Sequence, residues 1–112
     1  MPTAEELYDR AVDCVAAGDL DQAIACYRAA IELDPSFADA WEGLSMALAD
    51  RGQWDEAIAA AHKAVELAPQ EELAYTNLSR IYQRAGRIAE AEAWAAKARV
   101  LDWKRQLRED NQ

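Results

Sequence analysis

The chain has 112 residues, room for about one domain, and carries one histidine, two cysteines and a formal net charge of −9. That charge argues against nucleic acid, because a phosphate backbone is held by Lys and Arg that neutralise it. No apolar run reaches signal-peptide or membrane-spanning length, and Cys14 with Cys26 is not the disulfide framework of a small secreted fold, so a soluble cytoplasmic chain with no membrane partner is expected.

Read in chain order, Thr3 and Glu6 form a capping box for a helix over 3–17, and Gly18 turns the chain. Ala23, Tyr27, Ala30 and Leu33 give a second helix over 20–33, stopped at Pro35. Ser36 caps a third over 37–50, whose stripe is Ala40, Trp41, Leu44, Ala47 and Leu48. Gly52 turns again. Ala57, Ile58, Ala61, Ala64 and Val65 mark a fourth helix over 54–67, ended by Pro69. A fifth spans 71–84, Gly86 turns, and a sixth begins at 88. Trp103 stands where a third proline is due, so the stripe Val100, Trp103, Leu107 carries the last helix from 101 to about 108, where it is expected to cover the end of the stack.

These elements repeat. GDLDQAIACYRAAIELDP at 18–35, GQWDEAIAAAHKAVELAP at 52–69 and GRIAEAEAWAAKARVLDW at 86–103 start 34 residues apart. Twenty-six residues are alanine, which favours helix but buries little area, so one hairpin has a thin core and several must stack. Ala23, Ala57 and Ala91 fall where paired helices cross closely. Charge is unevenly placed: residues 1–50 hold eleven Asp and Glu against Arg10 and Arg28, whereas residues 51–112 hold ten of each sign.

No catalytic constellation emerges. His62 is the only histidine and reads as exposed and inert; the four glycines are scattered, and Cys14, Cys26 and His62 lack zinc-ligand spacing. Neither an enzyme nor a cofactor nor a metal is expected.

The marks just given resemble the tetratricopeptide repeat, W-x2-L-G-x2-Y, A-x3-F and P over ~34 residues. The first unit supplies Leu7, Ala11, Cys14, Ala23, Tyr27 and Pro35; the second Trp41, Leu44, Ser45, Leu48, Ala57, Ala61 and Pro69; the third Tyr75, Leu78, Ser79, Tyr82, Ala91 and Ala95. The match covers residues 4–103. Arg10 departs from the pattern's Leu, and Ala61 and Ala95 from its aromatic, so those pairs pack closer or leave gaps.

The resemblance implies an all-α, right-handed superhelical stack of three hairpins, about 4–37, 38–71 and 72–105, with a C-terminal extension over 102–112. It places Glu5, Tyr8, Asp9, Val12 and Ala16 on a concave groove, then Asp39, Glu42, Gly43, Met46, Ala49 and Asp50, then Leu73, Thr76, Asn77, Arg80, Gln83 and Arg84. It also implies a protein partner, held in that groove as a peptide or helix. The carboxylate clamp of the chaperone-binding members is missing: Tyr8, Val12, Gly43, Leu73 and Asn77 stand in its places. Acidic residues at one end and Arg80 with Arg84 at the other predict a ligand basic toward the first two units and acidic near the arginines. The alternative is a weakly self-associating structural unit that stacks end to end through Trp94, Trp103 and Leu107. A third reading, a regulatory piece of a larger enzyme, is disfavoured by Met1 and the charged tail LREDNQ.

Stacking makes a measurable demand. Cutting after Pro69 leaves two units, fewer than the ~3 needed for a stable array. Thermal unfolding followed by circular dichroism should show the fragment melting less cooperatively and at lower temperature than the whole chain; an equally sharp transition would remove the stacking account.

Overall fold

A computed structural model of the chain describes residues 1–111, and among these there are six helices and no strand. They are α1 (Ala4–Ala16), α2 (Leu20–Leu33), α3 (Ala38–Asp50), α4 (Trp54–Leu67), α5 (Glu72–Arg84) and α6 (Ile88–Asp110). Each lies within one or two residues of its expected span, and α6 does run past 101.

The termini follow from local chemistry. Thr3 Oγ1 accepts from the Glu6 amide at 3.1 Å while Glu6 Oε1 accepts from the Thr3 amide at 3.2 Å, which is the expected capping box. Gly18, Gly52 and Gly86 have φ of 82°, 78° and 82°, left-handed values that cost glycine little. The residue after each glycine then donates its amide back across the turn, Asp19 to Cys14, Gln53 to Leu48 and Arg87 to Tyr82, all at 2.9 Å. Ser36 does not cap α3. Phe37 occupies that place without a side-chain bond, because the Ser36 hydroxyl is spent on Asp34 Oδ1 at 2.8 Å inside the preceding turn.

Each hairpin closes on small residues. Ala23, Ala57 and Ala91 are 0%, 0% and 5% exposed, as the repeat phase requires. At the third crossing the Ser79 hydroxyl donates to the Ala91 carbonyl at 2.7 Å, tying α5 to α6. Hairpin then joins hairpin through a bond repeated one period apart: Trp41 Nε1 donates to the Pro35 carbonyl and the Tyr75 hydroxyl to the Pro69 carbonyl, each at 2.9 Å. Ion pairs Arg28–Glu56, Arg51–Asp21, Arg84–Asp50 and Arg87–Asp55 cross the same joints. All are exposed, so each contributes under ~1 kcal/mol, against roughly 1.5–3 kcal/mol for burying Leu48 or Leu78.

Several side chains depart from expectation. Leu33, the last residue of α2, is exposed. Ala49, expected on the groove, is 1% exposed within the core. His62 is neither exposed nor isolated: its Nε2 lies 2.7 Å from the Tyr82 hydroxyl, and its ring meets Trp94 edge-on at 5.1 Å. Burial therefore holds the imidazole below the ordinary histidine value, an effect that Lys97 reinforces and Glu66 opposes. Trp94 is half-buried there, packed on His62 and Tyr75, so it does not stand at a free end. Trp103 and Leu107 do not cover the third unit; they face solvent at 60% and 44% exposure, because α6 turns Ala91 and Ala98 toward α5 instead.

One packing detail concerns size. A Cβ on Gly43 would collide with the Cε1–Cζ edge of Tyr27, a buried side chain that reaches from α2 across to α3. The places one period on hold Ala61 and Asn77, both buried, so there the smaller residue stands on the even helix and the larger on the odd one. Gly43→Ala should destabilise by about 1–3 kcal/mol through overpacking. With Tyr27→Ala already present, the same change should instead stabilise, by up to ~1 kcal/mol of helix propensity. Urea unfolding of the four species in this cycle checks the reversal of sign.

Candidate partner groove

The backbones of α1 and α3 approach one another, as do those of α3 and α5, whereas α2, α4 and α6 meet only through long side chains, Arg28 with Glu56 and His62 with Trp94. The odd-numbered helices therefore form the narrower, inner wall of the stack. On that wall lies a cavity of about 320 Å³, lined by Tyr8, Tyr27, Asp39, Glu42, Gly43, Met46, Glu71 and Leu73 together with three alanines. Six of the expected groove residues, Tyr8, Asp39, Glu42, Gly43, Met46 and Leu73, meet there. A larger recess of about 410 Å³ adjoins it at Glu71 and Leu73 and continues beneath Leu101, Arg105 and Arg108 of α6.

The apolar floor is built by stacking. The Tyr8 ring lies 5.2 Å from Phe37 and 5.9 Å from Tyr27, held by α1, the α2–α3 turn and α2 respectively. Met46 and Leu73 are 45% and 59% exposed, and Val12 is 43% exposed on the same wall, so none of the three is used up between helices.

Carboxylates rim this floor. Glu42 is half-buried, and the Asn77 amide donates to its Oε1. Burial, then Asp39 and Glu71, push the Glu42 carboxyl above its ordinary value, and the Asn77 bond pulls the other way. Burial, then Asp39, Glu42 and Asp9, likewise raise the Tyr8 phenol, and burial with Tyr8 alongside pushes Tyr27 up to about 12. The wall here attracts positive charge.

The remaining expected residues are placed differently. Asp9 and Arg80 are exposed and line neither recess. Asn77 is only 5% exposed, committed to Glu42 rather than presented outward. The guanidinium of Arg84 pairs with Asp50 at 2.9 Å and lies 5.5 Å over the Trp54 ring. The supposed two-arginine site for an acidic group is thus reduced to Arg80. Two contributors escaped sequence reasoning: Tyr27, on an even-numbered helix, and Glu71, in a turn. Gly43 sixteen residues after Tyr27 was the available signal for the first.

The Asn77–Glu42 bond sets a titration. A carboxyl raised in the folded state binds more protons there than in the unfolded chain, so its contribution to stability falls as pH rises from the ordinary value toward the raised one. Asn77→Leu removes the one effect pulling that value down. Carbon-detected NMR titration should show Glu42 displaced still higher in this variant. Unfolding free energy should fall by about 1 kcal/mol at neutral pH, and by less in acid where Glu42 is protonated.

Sequence profiles of the tetratricopeptide repeat match residues 8–72 and 48–102. No curated protein matches the chain. Among solved structures, the crystal structure of MamA is 27% identical and superposes with a TM-score of 0.87 over 93% of this chain and 61% of that one. YrrB, described as a tetratricopeptide-repeat protein with an unusual peptide-binding site, is 23% identical with a TM-score of 0.84 over 90% and 52%. The CopN–Scc3 complex contains a chain 19% identical, with a TM-score of 0.82 over 88% and 58%. The protein thus spans between half and two thirds of the length of these three structures. With three like hairpins in register and profiles that span them, the chain belongs to the tetratricopeptide repeat family.

Proposed function

We propose that the protein is a non-enzymatic interaction module whose odd-helix wall holds a peptide or helix of a protein partner. The observation that carries the reading is the cavity beside Tyr8, where exposed Met46 and Leu73 lie among Asp39, Glu42 and Glu71. An apolar floor with an acidic rim suits a segment that presents an apolar anchor flanked by Lys or Arg. With Arg84 paired to Asp50, the ligand needs no acidic group at the far end, so a basic segment fits better than one of mixed sign. The peptide-binding site described for YrrB, and the CopN–Scc3 assembly, support protein recognition on this fold.

Stacking of copies through Trp94 is the weaker reading, because Trp94 is already packed against His62 and Tyr75. An array of peptides with a central Trp, Phe or Leu and graded numbers of flanking Lys or Arg tests the groove. Affinity should rise with basic content, and Met46→Glu or Asp39→Lys should each weaken the best peptide by tenfold or more while the circular dichroism spectrum stays unchanged. Added salt should slow association. Binding untouched by both substitutions would place the partner elsewhere.

A further inference from the structure

The chain holds a second unpartnered surface, an apolar stripe with basic flanks on a helix that carries five cations and five carboxylates in all. Ala96, Val100, Trp103 and Leu107 recur at steps of four, three and four, which puts them on one face of α6. Val100, Trp103 and Leu107 are 45%, 60% and 44% exposed. The same helical geometry sets Lys97, Lys104 and Arg108 along one flank of this stripe and Arg99 along the other. Among the described residues, Arg99, Lys104 and Arg108 make no ion pair. Asp39 and Glu71, on the groove, likewise have no cationic partner.

We propose that the α6 tail of one copy seats in the groove of a second copy, with Trp103 entering the cavity beside Tyr8 and Met46. Lys104 and Arg99 then lie among Asp39, Glu42 and Glu71. This rests on the groove being a binding surface, and it names the occupant: an amphipathic helix whose apolar stripe has basic flanks, in an acidic, aromatic-floored groove. The tail cannot serve its own groove. Helix α6 is continuous over 23 residues, roughly 35 Å, and packs Ala91 and Ala98 on α5, so its apolar stripe points away from the odd-helix wall. A basic amphipathic helix also suits an anionic membrane. Net charge of −9 opposes both partners alike, but the groove adds what a lipid surface lacks, a cavity floored by Tyr8 and Tyr27 in which a single Trp ring is enclosed beside Asp39 and Glu71. Because tail and groove are different surfaces, the contact is heterologous and builds open chains unless the rotation between copies closes a ring.

The test uses the full chain and two single substitutions at exposed positions, Met46→Glu in the groove and Trp103→Ser in the tail, each checked for an unchanged circular dichroism spectrum. In sedimentation velocity at low salt, the mass of the unmodified protein should rise with concentration and return toward the monomer at high salt. Each variant alone should associate at least tenfold more weakly. Mixed, they should complement, since Met46→Glu still offers a tail and Trp103→Ser still offers a groove, giving a one-to-one dimer that grows no further. A monomer at every concentration, association that survives Met46→Glu, or variants that fail to complement would each overturn the proposal. So would Trp103-dependent sedimentation with phosphatidylserine vesicles by a chain that stays monomeric. Peptide capture by the groove in a chain that does not self-associate would sink this inference alone and leave the groove reading standing.

Discussion

Everything in this molecule follows from how closely its paired helices cross. With alanine at positions 23, 57 and 91, all buried, the paired helices meet on small side chains. That approach aligns each hairpin but leaves it few apolar atoms to bury, so no hairpin has a core of its own. The missing apolar area is recovered at the joints, where Leu44, Leu48, Leu78 and Ile81 are buried. Because the backbones of the odd helices approach one another and those of the even ones do not, the stack curves, and an inner wall exists to be used.

Polar groups decide the register of the joints more than their strength. The bonds from Trp41 to the Pro35 carbonyl and from Tyr75 to the Pro69 carbonyl each fix an aromatic ring against a turn that has lost a backbone donor to proline. The exposed ion pairs across the same joints bring acidic helix starts, at Asp21 and Asp55, to arginines in the next unit's turn, Arg51 and Arg87. Acidic residues near a helix N-terminus also sit well with its dipole, so the same carboxylates serve twice.

Period and punctuation made the architecture legible. Three glycines and two prolines at equal offsets left few choices of helix boundary, and the turn conformations agree. What stayed hidden was what the outer side chains do. The pattern of a single α6 face does not reveal whether another element lies across it, which is why Trp103 and Leu107 read as a cover for the third unit and stand instead in solvent. His62 was misread for a related reason: neighbours in sequence, Ala61 and Lys63, say nothing of Tyr82 and Trp94, which reach it from α5 and α6. Of the groove, the composition of one helix face was readable. The pairing of Arg84 with Asp50 and of Asn77 with Glu42 was not, because both join helices of different units.

The fit of Tyr27 over Gly43, set beside Ala61 and Asn77 in the next joint, gives the two interfaces different keys. Each key and its lock lie in neighbouring hairpins, so neither travels alone when a repeat is copied. Duplicating residues 38–71 would set a second Gly43 opposite Ala61, two small residues facing a void. Duplicating 4–37 would drive the Tyr27 ring toward the place of Asp9. Only a copy of 72–105 would bring a matched pair, Ala95 against a new Asn77. Gene duplication can therefore lengthen this array without a compensating substitution from one end only.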